Sequence, residues 1–81
     1  MESTYRPLGA YLACQPGPTC VLTFREVEVV LGRPLPPSAS AHRAWWANDH
    51  GHNHAYHGWL AVGWRSETVD MARQRATFRK G

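Results

Sequence analysis

No stretch of the 81-residue sequence stays apolar for the roughly 20 residues that a membrane-spanning helix needs. The opening MESTYRPLGAYLA lacks the basic start and apolar run of a secretory signal. Both absences lead to the expectation of a cytoplasmic domain with no membrane partner. Cysteine is scarce: Cys14 and Cys20 are the only two, with five residues between them. A zinc half-site usually separates its two cysteines by about two to four residues, and free thiols suit a reducing compartment. No glycine-rich phosphate loop occurs, and no nucleophile is fixed beside both a base and an oxyanion hole. The expectation is therefore not an enzyme, with no cofactor. No repeat or linker divides the chain, so residues 1–81 read as a single domain.

Aromatic and imidazole mass is concentrated instead. All four tryptophans and all five histidines fall within residues 35–64. A small domain buries only about 60% of the surface its unfolded chain exposes, and each aromatic ring can bury roughly 150–250 Å². The indoles are thus expected to hold the core. Charge is also uneven. Arg6, Arg25 and Arg33 balance Glu2, Glu26 and Glu28 in the first half, so the net +3 resides in residues 41–81. A mild basic face of this kind suits an anionic partner.

Periodicity supplies the elements. Leu8, Tyr11 and Leu12 form a helical stripe within residues 5–13. CVLTF is β-prone and runs into a capping box, Thr23 and Glu26, which opens a helix with Phe24, Val27, Val30 and Leu31 inward. Gly32 and Pro34 end it. After the proline-rich link, Ser38 caps a third helix over residues 39–47. A fourth spans residues 54–62, with Tyr56, Trp59 and Leu60 inward. WRSETVD and RATFR form a hairpin around MARQ, with imperfect alternation.

The expected fold class is α+β: three or four short helices with a small three-stranded antiparallel sheet, in the order of a winged helix-turn-helix. The proline-rich link is longer than the usual turn of about three or four residues. In that layout the third helix enters the major groove of duplex DNA. Arg43 would bond a guanine edge and Asn48 an adenine, while Ser38 and Ser40 hold phosphates and His42 serves either purpose. Arg73, Gln74 and Arg75, backed by Arg79 and Lys80, would form a basic wing. Two other readings stand beside this one. An exposed Trp46 or Trp64 would make a protein–protein interaction module, or a homodimer with two recognition helices. Alternatively His50, His52, His54 and His57, with an oxygen from Asp49, would hold zinc.

The segments LTFREVEVVLGRPLPPSASAHRAWWAN, WLAVGW and VDMARQRATFRK resemble a family of short bacterial and archaeal domains of unknown function. Its pattern is L-T-F-x-x-[IV]-E, L-G-x-x-L-P-x-S-A, H-R-x-W-W-x-N, W-L-x-x-G-W and V-x-F-x-[RK]. The match runs through Leu22, Thr23, Phe24, Val27, Glu28, Leu31, Gly32, Leu35, Pro36, Ser38, Ala39, His42, Arg43, Trp45, Trp46, Asn48, Trp59, Leu60, Gly63, Trp64, Phe78 and Arg79. The last segment departs from the pattern by lacking its valine. The resemblance implies a small standalone or appended domain and carries no activity.

Overall fold

A computed structural model of the chain describes residues 4–81. Glu2, counted in the charge balance above, lies outside the described residues. The order is α1 (Arg6–Ala13), β1 (Thr19–Thr23), α2 (Phe24–Leu31), α3 (Pro37–Ala41), a 3₁₀ turn (Arg43–Trp46), α4 (Asn53–His57), a second 3₁₀ turn (Leu60–Val62), β2 (Trp64–Asp70) and β3 (Arg75–Lys80). The three strands form one antiparallel sheet in the order β1-β3-β2. This is a small α+β fold. No helix among the described residues is long and apolar enough to cross a membrane.

The capping box forms as its spacing requires. Glu26 N–H donates to Thr23 Oγ1 at 3.0 Å, and Thr23 N–H donates to the Glu26 carboxylate at 2.8 Å. Two free donors at the start of α2 are thereby satisfied. Gly32 ends the helix at φ +74°, the left-handed region that glycine enters without a Cβ penalty. Glu28 then accepts from Leu35 N–H at 2.8 Å, which anchors the proline-rich link to the helix it leaves.

Two expected helices are corrected. The fourth does not run through residues 54–62 but breaks at Gly58 into α4 and a 3₁₀ turn. Gly58 leaves the helical conformation (φ −86°, ψ −103°) where α1 passes close to it: a Cβ on Gly9 of α1 would sit 2.5 Å from the Gly58 carbonyl oxygen. Gly9 is therefore buried beside Leu8 and Leu12, whereas Tyr11, expected inward, is exposed. Tyr56 is also exposed, and Ala55, Gly58 and Trp59 are the buried members of their segment.

The third helix is likewise broken. His42 is extended (φ −130°, ψ 117°), separating α3 from the 3₁₀ turn. Both indoles of the 3₁₀ turn that follows enter the core. Trp46 stacks on Phe24 with ring centres 4.7 Å apart and lies 6.1 Å from Trp59. Trp45 packs against Tyr5 and His54. All four tryptophans are buried, including Trp46 at 1% exposure and Trp64 at 2%. The expectation that Trp46 or Trp64 offers an exposed interaction surface therefore fails: the core has room for every indole.

In the hairpin, a bulge between Ser66 and Thr68 shifts the register. It accounts for the imperfect alternation. Trp64 and Val69 are both buried although five positions apart, because the extra residue resets the side-chain phase. The opposite face of the sheet, carrying Thr19, Val21, Arg65, Thr68, Arg75 and Arg79, is largely exposed.

Candidate nucleic-acid interface

Asn48 sits where the chain leaves the 3₁₀ turn and reaches the outer edge of β2. Its Nδ2 donates to the Ser66 carbonyl at 2.9 Å, and its Oδ1 accepts from Ser66 N–H at 2.8 Å. The side-chain amide thus pairs with both backbone groups of Ser66, as a neighbouring strand would. The same Oδ1 accepts from the indole Nε1–H of buried Trp59 at 2.9 Å. Ser66 Oγ donates to the Trp46 carbonyl at 2.5 Å, and Trp46 Nε1–H donates to the Ala39 carbonyl at 2.9 Å. The side-chain oxygen and one amide N–H of this exposed residue are thus engaged by protein. Asn48 is accordingly corrected from a base-reading residue to a residue that closes a sheet edge and satisfies a core indole.

Arg43 has a mixed position. Its Nη1 donates to the Val69 carbonyl, farther along the same β2 edge. The side chain is partly held, and the residue remains exposed. A guanidinium carries five N–H donors, so most of its donor capacity is still available. Between the 43–48 segment and β2 lies an open groove of about 550 Å³, with Arg43 and Asn48 on one wall and Ser66 to Val69 on the other. Ser38, Ser40 and His42 are exposed. They lie on the short α3 and its extended exit, so they do not share one helical face with Arg43 and Asn48.

The hairpin turn over residues 71–74 is held from within. Asp70 Oδ1 accepts from Arg73 N–H at 3.0 Å. Gln74 adopts φ +54°, and its carbonyl accepts from Phe24 N–H at 2.8 Å, fixing the turn to the start of α2. Arg73, Gln74 and Arg75 are exposed there, and Val69, which carries the Arg43 contact, is one residue before Asp70, the cross-strand partner of Arg75. Arg43, Arg73 and Arg75 therefore share the hairpin end. Neither ion pair formed among the described residues, His52–Asp49 and Arg79–Glu67, involves them.

Arg79 and Lys80 do not back this end. They occupy the far end of β3, about 17 Å from the turn at the usual rise of a strand. Arg79 also faces Glu67, with Nε 3.4 Å from its carboxylate. The ten residues expected to form one DNA surface are thus divided. Arg65, the cross-strand partner of Arg79 on the exposed face, was not among them. Ser66 was also missed. A serine within an alternating strand carries no local mark of the tertiary bonds it makes.

The histidines serve different neighbours. His54 stacks on Trp45 with ring centres 3.8 Å apart and planes within 2°, and its Nε2–H donates to the Trp45 carbonyl. Burial pushes its pKa below the usual histidine value; the carbonyl bond opposes that shift, and nearby His52 adds to it. His52 lies 3.8 Å from the Asp49 carboxylate, whose other oxygen accepts from Gly51 N–H. His50 packs edge-on against Tyr56, and His57 lies beside Arg6 and Val62. No group of three or more His, Cys, Asp or Glu residues among those described is arranged to hold a metal ion. The zinc reading is corrected on this geometry: His52 and His54 stack with ring centres 5.2 Å apart, while His50 and His57 pack against Tyr56, so no three of the rings converge on one point.

Fold and site together define a small α+β domain whose aromatic core is closed by side-chain bonds to a sheet edge. The chain belongs to the family described as a domain of unknown function, DUF7662, which matches it over residues 5–81. No curated protein and no solved structure matches the chain.

Proposed function

We propose that this domain is a binding module for nucleic acid, gripping the phosphate backbone of duplex DNA with Arg43, Arg73 and Arg75 at the hairpin end. The carrying observation is that these three arginines lie at one end of the sheet and take no part in either ion pair formed among the described residues. Arginine donors fit phosphate oxygens, and such contacts supply affinity without reading sequence. The element order, with β3 central in the sheet, is compatible with a winged-helix layout in which the hairpin acts as the wing. Asn48 takes no part in base recognition, and Ser38, Ser40 and His42 lie on the short α3 and its extended exit, not on one recognition helix. The mode is therefore backbone binding with weak sequence preference, in a cytoplasmic protein whose two cysteines remain free thiols.

The test is fluorescence anisotropy with a random duplex at two salt concentrations. Removing one phosphate-binding arginine lowers the slope of log K against log salt by about 0.9. Arg73→Ala and Arg75→Ala should each weaken all duplexes alike and reduce the slope by about that amount. Absence of binding at low salt, or variants that bind as the parent does, would refute the proposal.

A further inference from the structure

The two edges of the sheet are treated differently. On β2, the outward groups of Ser66 are covered by the Asn48 amide and the Val69 carbonyl by Arg43, and a bulge interrupts the strand. Charges, bulges and covering segments are the usual means by which an edge is kept from pairing with another chain. On β1 such cover is confined to Thr23, whose N–H meets the Glu26 carboxylate. The strand's sequence, TCVLT, contains no charge and no proline, and its register with β3 is unbroken.

The phase of the ladder identifies the free groups. Lys80 N–H donates to the Pro18 carbonyl and Phe24 N–H to the Gln74 carbonyl, both at 2.8 Å. Even-numbered residues of this stretch therefore bond to β3, and Thr19, Val21 and Thr23 turn their backbone groups outward. Thr23 is already occupied: its N–H meets the Glu26 carboxylate, and its carbonyl is the cap that opens α2. The N–H and C=O of Thr19 and of Val21 remain. They have no partner among the described residues. Both residues are exposed, Val21 at 55%.

We infer that β1 pairs antiparallel with β1 of a second copy of this chain, across a twofold axis at Cys20, forming a continuous six-stranded sheet. The observations select this occupant by complementarity. In that register Thr19 lies opposite the partner's Val21, and Val21 opposite the partner's Thr19. The free N–H and C=O of each residue then meet those of its counterpart, and the occupied groups of Thr23 are not needed. No like charges are opposed, because β1 carries none. The twofold axis keeps the exposed face of both sheets on one side, so Val21 of each copy packs beside the partner's Thr19. Two five-residue edges bury less than the roughly 1,200 Å² of a stable complex, so the dimer is weak and concentration-dependent. This inference does not rest on nucleic-acid binding: Arg43, Arg73 and Arg75 play no part in it.

The test is sedimentation equilibrium of the whole chain from about 10 μM to about 1 mM, the range of weak, small-interface association. The expected result is a mass rising toward twice that of the chain. Val21→Pro removes an N–H that β3 does not use, a place where an edge strand tolerates proline. It should leave the far-ultraviolet circular dichroism unchanged and the mass at that of one chain. Val21→Lys gives a second route to the same loss should Val21→Pro not fold, while Thr68→Lys, on the covered β2 strand, should dimerise like the parent. Under a mild added oxidant, which takes the two electrons of disulfide formation, the Cys14→Ser chain should cross-link through Cys20. A parent chain that remains monomeric throughout, or a folded Val21→Lys chain that dimerises undiminished, overturns the pairing. Dimerisation without the Cys20 cross-link overturns the proposed register.

Discussion

Replacing Asn48 with alanine removes one side chain and frees three internal partners. The Trp59 indole N–H is the costly one, because Trp59 is buried and loses its side-chain acceptor. An unsatisfied buried donor costs about 1–3 kcal/mol. The N–H and C=O of Ser66 lie on a more exposed edge, where water replaces the amide at about 0.5 kcal/mol each. The total is about 2–4 kcal/mol. A domain of 81 residues has roughly 4–12 kcal/mol of stability in all, so the loss is a large share of it. At about 4–8 °C per kcal/mol for a domain of this size, Tm should fall by about 10–30 °C. Urea unfolding followed by tryptophan fluorescence measures the change, with circular dichroism confirming that sheet and helices melt together. An Asn48→Ala protein within about 0.5 kcal/mol of the parent, the range of ordinary surface substitutions, would refute the structural role of this amide and return it to the surface for recognition.

Three further outcomes are expected. His54 has a folded pKa below its unfolded value near 6.5, so the unfolded chain binds the proton more readily. Stability is then full above about pH 6.5 and declines as pH falls from there toward the folded pKa. The urea midpoint of His54→Gln should fall less than that of the parent between about pH 7.5 and 5.5, and equal falls would refute this. Gly9→Ala places a Cβ 2.5 Å from the Gly58 carbonyl oxygen, where only backbone can yield. It should cost more than about 2 kcal/mol by thermal melting, whereas an unaltered Tm would show that α1 can shift freely. Thr23→Ala deletes one half of the capping box and should cost about 1 kcal/mol in urea unfolding, with no change expected in the sheet.

Local features of the sequence were legible where neighbours along the chain settle them. The capping box, the left-handed Gly32 and the hairpin all depend on residues a few positions apart, and each forms. The burial of aromatic mass was legible from composition and size. The division of residues 37–48 was not, because the pattern of alanine and tryptophan supports a helix locally. The break at His42 goes with contacts made far along the chain: Trp46 packs on Phe24 and Trp59, and Trp45 on His54. Among the candidate site residues, Arg73 and Arg75 lie at the exposed turn where the hairpin reading put them. Arg79 is met by Glu67, a partner determined by the cross-strand arrangement.

The sequence by itself determined the order of elements, the ends of α2 and an indole-filled core, because turn geometry, capping and apolar periodicity act over a few residues. Only the tertiary structure decided that Asn48 and Arg43 close one edge of the sheet while the edge at Thr19 and Val21 stays open. Those roles depend on which backbone groups are left unpaired when distant strands come into register, and that information resides in no single segment.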